Sequence, residues 1–133
     1  MGIIGVHPSL LPKYRGATPI QSVLLNGEKE TGTTLFLMDE KVDHGSILGQ
    51  EKIKIENDDN YDSLIIKLAN LSGNLLVKTL PDFLAGKIKS QEQNHNEATF
   101  TKKFETQDGF IEPAELDNAS HGTSLDKAEI ILR

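Results

Sequence analysis

The feature that most constrains the fold is a stripe of apolar residues between Asn60 and Ala85. Leu64, Ile65, Leu68, Leu71, Leu75, Leu76, Leu80 and Phe83 recur at steps of three and four, the spacing that lines up side chains along one side of an α-helix. Asp58 and Asp59 precede the stripe, where carboxylates favour a helix N-terminus, and Gly86 follows it as a stop. The acidic run from Glu56 to Asp62 therefore reads as helix-start chemistry and not as a metal site.

The other elements are shorter. Ile3 to Val6 reads as a buried strand whose end is set by His7-Pro8. Ser9 to Gly16 (SLLPKYRG) is a loop punctuated by proline and glycine. Thr18 looks like an N-cap with Pro19 at the first helical position. Ile20, Val23 and Leu24 then share a helix face, and the helix stops near Asn26-Gly27. Thr33 to Met38 and Ile47 to Ile55 read as strands from their β-branched and aromatic content and their alternation. The expected assembly is a parallel-type sheet with an open apolar edge. Gln91 to Thr101 is a polar loop, Asp108-Gly109 a turn, Asp117 to Ser124 a polar connector, and Leu125 to Leu132 the start of a further helix.

Composition narrows the class. The 133 residues carry a net charge of -6, with 37% hydrophobic and 26% charged residues, ordinary values for a soluble domain. No apolar run is long enough to span a membrane, and the first residues lack the basic start of a signal peptide. The absence of cysteine excludes disulfides and thiolate metal sites and fits a cytoplasmic protein. The acidic balance argues against this segment alone being a general nucleic-acid binder.

Two places combine reactive groups with irregular backbone. His7 lies at the end of a strand, in the region where open α/β sheets bind ligands. Asp43 lies in the charged loop Asp39 to Gly45 (DEKVDHG), of a kind that often carries function. A carboxylate reaching the imidazole would orient the ring for donation to a developing oxyanion. Each alone is more often structural. Lys13 and Arg15 are surface charges or approach an anionic substrate, and Gly16 and Gly45 allow turns. His44 faces solvent, and His95 and His121 lie in polar loops without ligand spacing.

The segment VHPSLLPKYRGATPIQ from Val6 to Gln21 resembles the hallmark segment of methionyl-tRNA formyltransferases, a family of folate-dependent enzymes. So do Thr31-Gly32-Thr33 followed by Met38 to Gly45, and Ala98 to Lys103 with Asp108 to Ile111. The resemblance implies an α/β, Rossmann-like formyltransferase fold, here the C-terminal half of the catalytic domain. The reaction it implies moves a formyl group from 10-formyltetrahydrofolate to the amino group of methionyl initiator tRNA, in translation initiation. His7 would match the histidine that donates to the oxygen of the tetrahedral intermediate, and Asp43 the aspartate paired with it. Ser9, Leu10, Leu11 and Pro12 would match the segment lining the folate site, with Arg15 and Gly16 beside the substrate. No metal is implied. The tRNA would be held mainly by regions outside these residues, by a protein that is a monomer when full length.

Two departures stand out. Gly5 occupies the position of the family's asparagine, a second oxyanion donor whose loss typically costs about 10²–10³ in rate. The N-terminal Rossmann-like half and the C-terminal β-barrel domain of the family are also missing, so residues 1–133 read as a partial catalytic domain. Residues 110–133 would be a connector toward that C-terminal domain, and the chain alone is expected to be inactive. The alternatives are an amino-sugar N-formyltransferase, whose motif is close, and a non-catalytic remnant that binds folate or a partner. A glycinamide ribonucleotide formyltransferase fits less well, because the stretch after the motif differs.

Overall fold

The computed structural model describes residues 2–110; the expected connector at Asp117–Ser124 and the helix start at Leu125 fall outside them. In chain order the elements are β1 (Ile4–His7), α1 (Pro19–Leu25), β2 (Glu30–Leu37), β3 (Ile47–Lys54) and α2 (Tyr61–Leu84), followed by single 3₁₀ turns at His95–Glu97 and Thr106–Gly109. One three-stranded sheet has the order β1-β2-β3. The architecture is α/β.

Every strand pair is antiparallel, which corrects the expected parallel sheet. β1, α1 and β2 follow one another as strand, helix and strand, but the helix is only two turns long. The loop from Pro8 to Thr18 and α1 together connect the end of β1, where His7 lies, to an antiparallel neighbour. Strand β2 runs back along β1, pairing His7 with Thr34 and Ile4 with Leu37. Strand β2 is the central strand and is buried from Thr31 to Phe36. That burial explains its unbroken run of β-branched and apolar residues.

Helix α2 packs across β2 and β3 through a face narrower than the apolar stripe. Leu64, Leu68, Leu75 and Thr79 are buried, whereas Ile65 remains 39% exposed. Leu64 and Leu68 join Ile20, Val23 and Leu24 of α1 and Ile55 in one cluster, and Leu75 joins Leu35 and Leu48 in a second. Each fully buried leucine stabilises the fold by roughly 1.5–3 kcal/mol. The helix begins with a reciprocal capping box: Asn60 Oδ1 accepts from the Ser63 N–H, and the Ser63 hydroxyl accepts from the Asn60 N–H. Asp59, buried beside it, accepts from the Ser63 hydroxyl and pairs with Lys67 at 2.7 Å. The acidic run is helix-start chemistry, as the sequence suggests.

Thr18 occupies the N-cap position of α1 and Pro19 follows it, yet its side chain makes no capping hydrogen bond. Its hydroxyl donates instead to the Lys102 carbonyl at 2.5 Å. The return segment after α2 thus takes the group that local sequence reserves for the cap, a tertiary contact displacing a local one.

Candidate active site

The loop after β1 is fixed by buried polar groups before it reaches any ligand. The Ser9 hydroxyl, fully buried, donates to the Lys13 carbonyl at 2.7 Å. Thr34 of β2 donates from its hydroxyl to the Ser9 carbonyl at 2.6 Å and accepts from the Leu11 N–H at 3.1 Å. Gln50 of β3 donates from Nε2 to the Leu11 carbonyl at 2.7 Å. The Leu11–Pro12 peptide is cis, and Tyr14 stands in the left-handed region at φ 59°. This turn aims the Tyr14 carbonyl back at the strand end, where it accepts from Nε2 of His7 at 2.8 Å.

A carbonyl only accepts, so Nε2 carries the proton and Nδ1 is the nitrogen left for other work. Nδ1 faces Asp43 Oδ2 at 3.5 Å, too long for a direct hydrogen bond but close enough for an ion pair. His7 is 5% exposed. Asp43 Oδ2 also accepts from the Gly16 N–H at 2.8 Å. The histidine, the carboxylate and the glycine that the motif singles out therefore meet at one point.

Asp43 lies on a turn. Its φ is +48°, in the left-handed region that few non-glycine residues other than aspartate and asparagine adopt. The turn is held in part by Gly45, whose α-carbon lies so close to β2 that an added Cβ would collide with the Leu37 carbonyl. Gly16, at φ +106°, is the conformational pivot on the other side of the site and packs against Thr101.

The remaining residues singled out by sequence behave differently from one another. Leu11 and Pro12 line a cavity of about 390 Å³ with Ile47, Gly49 and Asn94, whereas Leu10 faces a separate hollow of about 80 Å³ beside Tyr14 and Thr31. The four-residue segment therefore does not present one continuous wall. Lys13 is exposed. Arg15 is 3% exposed, which removes it from the surface role considered for it. Its Nε and Nη2 donate to Gln93 Oε1 at 3.2 and 2.6 Å, and Nη2 donates to His95 Nδ1 at 2.9 Å. Burial pulls the guanidinium below its ordinary pKa, against the opposing pull of Asp43 and Asp39.

His44 is not simply turned to solvent. Its ring stacks on that of His95, with centroids 4.0 Å apart and planes 6° apart, and its Nδ1 donates to Asp39 Oδ2 at 2.7 Å. That hydrogen bond, followed by one from the Lys41 N–H, holds the Asp39 carboxyl below its ordinary pKa. Gln93, His95 and the His44 stack were not legible as site features. Gln93 and His95 sit in a polar run with no periodicity and His44 in the charged loop, and only the folded chain brings the first two to Arg15 and His44 onto His95. Among the described residues no group of three or more histidines and carboxylates stands together as a metal site.

A histidine at a strand end thus faces a loop carboxylate on an α/β scaffold. The sequence profile described as "Formyl transferase" matches residues 1–80, and the chain belongs to that family. It is 49% identical over 118 residues to the methionyl-tRNA formyltransferase of Kosmotoga olearia, covering 89% of this chain and 37% of that protein. The chain thus spans well under half the length of that relative. The 4-N formyltransferase of Francisella tularensis superposes with a TM-score of 0.79 at 25% identity, covering 98% of this chain and 51% of the other. The N-formyltransferase of Helicobacter canadensis, crystallised with folinic acid and dTDP-3-aminofucose, gives a TM-score of 0.72 at 27% identity over 80% of this chain and 38% of its own.

Proposed function

We propose that these residues form the histidine–aspartate part of a methionyl-tRNA formyltransferase site, within a catalytic domain completed by other segments. The observation that carries the reading is the approach of His7 Nδ1 to Asp43 Oδ2 at 3.5 Å. The names of relatives near half identity support the choice of methionyl initiator tRNA as acceptor, and with it a role in translation initiation in the cytoplasm.

The co-substrate, 10-formyltetrahydrofolate, supplies the formyl group. The cavity beside Leu11 and Pro12 suits part of such a molecule, because it offers apolar side chains next to peptide and carboxamide groups. His7, held through Nε2 by Tyr14, gives or takes a proton at Nδ1. Asp43, 3.5 Å from Nδ1, stabilises the charged imidazole while the proton is there. The burial of His7 strengthens this effect, since few waters reach the ring.

The test is formylation of charged initiator tRNA by the full-length protein, with His7→Ala and Asp43→Asn alongside. Loss of about 10²-fold or more in kcat for each is expected. Unchanged turnover in His7→Ala would remove the assignment. An amino-sugar acceptor is the second reading, favoured by the likeness to the Helicobacter canadensis enzyme. Formylation of a dTDP-amino sugar in preference to charged tRNA would select it. A remnant that binds folate without transfer is favoured by Gly5, and folate binding with neither acceptor formylated would select that reading.

A further inference from the structure

We infer that Gln93 is a positioning residue for Asp43: its carboxamide sets the turn that aims this carboxylate at His7. The inference rests on the reading of His7 and Asp43 as the reacting pair.

Gln93 is 4% exposed, although it stands in a run of polar residues. Its Nε2 donates to the Asp43 carbonyl at 3.0 Å and to the Gly45 carbonyl at 2.7 Å. Its Oε1 accepts twice from the Arg15 guanidinium. A carboxamide offers two donor hydrogens and two acceptor lone pairs, and all four are used here. The orientation is unambiguous, because guanidinium can only donate and the two carbonyls can only accept.

The consequence is local. Asp43 is held at φ +48°, and the two carbonyls that Gln93 grips are its own and that of Gly45, which closes the turn against β2. Arg15, on the other side of the carboxamide, immediately precedes Gly16, whose N–H donates to Asp43 Oδ2. A single side chain therefore ties together the two segments that meet at His7. Its own backbone is anchored on both sides. Gln91 exchanges hydrogen bonds with Ile47 at 2.7 and 2.8 Å, and the Arg15 N–H donates to the Thr99 carbonyl at 2.9 Å. Gln93 touches neither ring nitrogen of His7, so its effect passes through the turn.

Two variants separate the roles of the carboxamide. Gln93→Glu keeps an acceptor for Arg15 but turns oxygens toward the Asp43 and Gly45 carbonyls. Gln93→Met keeps the volume and removes every polar contact. In the full-length protein both should lower kcat for formyl transfer by about 10²-fold, the scale of a misplacement near 1 Å, with KM for charged tRNA within about twofold; KM for the folate co-substrate is not used as a readout, because Gln93 also lines the cavity beside Leu11 and Pro12. By NMR the Gly16 amide proton should move upfield and exchange at least about tenfold faster in both, because its carboxylate acceptor has moved. Wild-type kcat with an unmoved Gly16 amide, or a loss confined to KM for charged tRNA, would overturn the inference.

The amide signal does not depend on turnover. If the unsubstituted protein formylates no acceptor, the proposed function fails, and the Gly16 signal alone still decides the role of Gln93. If neither variant folds, the unsubstituted protein decides it. Side-chain amide protons of Gln93 that are protected from exchange support the inference, and exchange at the rate of a free glutamine side chain overturns it.

Discussion

The ring of Phe36 occupies the space that a side chain on residue 5 would need. Gly5 on β1 pairs with Phe36 on β2, and a Cβ built on Gly5 would stand 2.5 Å from Phe36 Cε1 and 3.2 Å from Met38 Cγ. Phe36 is 2% exposed, so its ring has little room to withdraw. The glycine at the position where the resemblance implies an asparagine is therefore part of a packing solution and not a bare gap in the site. Restoring the asparagine alone should fail. Gly5→Asn is expected to destabilise the protein by about 1–3 kcal/mol through overpacking and to leave turnover no higher. Gly5→Asn combined with Phe36→Val should recover most of that stability. Urea unfolding of the single and double variants checks this, and a fully stable Gly5→Asn protein would contradict it.

A second prediction concerns the turn at Gly45. Here the obstacle is backbone, the Leu37 carbonyl of β2, which cannot rotate aside as a side chain can. Gly45→Ala should therefore cost more than Gly5→Asn, about 3 kcal/mol or more, because either β2 or the turn must move. The Asp43 carboxylate would leave Gly16 and His7 as the turn opens. Thermal unfolding together with the Gly16 amide signal measures both effects. An alanine variant of native stability with an unmoved Gly16 signal would show that the approach is looser than this geometry requires.

The helix and the turn were not equally legible in the sequence. Helix α2 lies within the stretch that the apolar stripe, Asp58-Asp59 and Gly86 mark out, because periodicity and helix-end signals are local properties. His7 and Asp43 could be paired only through the long motif, since nothing local ties a strand end to a loop so far along the chain. The antiparallel sheet was hidden by the helix between β1 and β2, which mimics a crossover in sequence although the two strands run in opposite directions. Gln93 was hidden for a further reason. Its carboxamide is held by Arg15 and by the carbonyls of Asp43 and Gly45, all far away in the chain, and a polar residue among polar neighbours carries no sign of that.

The start of α2 gives a third prediction. Asn60 and Ser63 each satisfy a backbone N–H that the first helical turn leaves free. Asn60→Ala should cost about 0.5–2 kcal/mol, and Asn60→Asp should be close to neutral, because a carboxylate also accepts from the Ser63 N–H. Equal losses in both variants would mean that the cap is not what residue 60 contributes.

Asp59 should make stability depend on acid. Burial raises its carboxyl pKa, but the hydrogen bond from Lys67, with those from the Glu56 N–H and the Ser63 hydroxyl, more than offsets that, and the net shift is downward. A carboxyl held lower in the folded than in the unfolded chain stabilises the fold fully at pH above its unfolded value, about 3.9. That contribution disappears as pH falls through the folded value. The protein should therefore lose stability in acid below about pH 4, and Asp59→Asn should show a shallower loss over the same range. At neutral pH the asparagine variant should be less stable by about 1–3 kcal/mol, the scale for a lost charge-assisted hydrogen bond. Lys67 is 43% exposed, so water takes up part of what the pair loses, and the larger cost of stranding a buried charge does not apply. Denaturant unfolding of both proteins at pH 7, 4 and 3 measures the difference, and identical acid slopes would assign the acid dependence to other carboxylates.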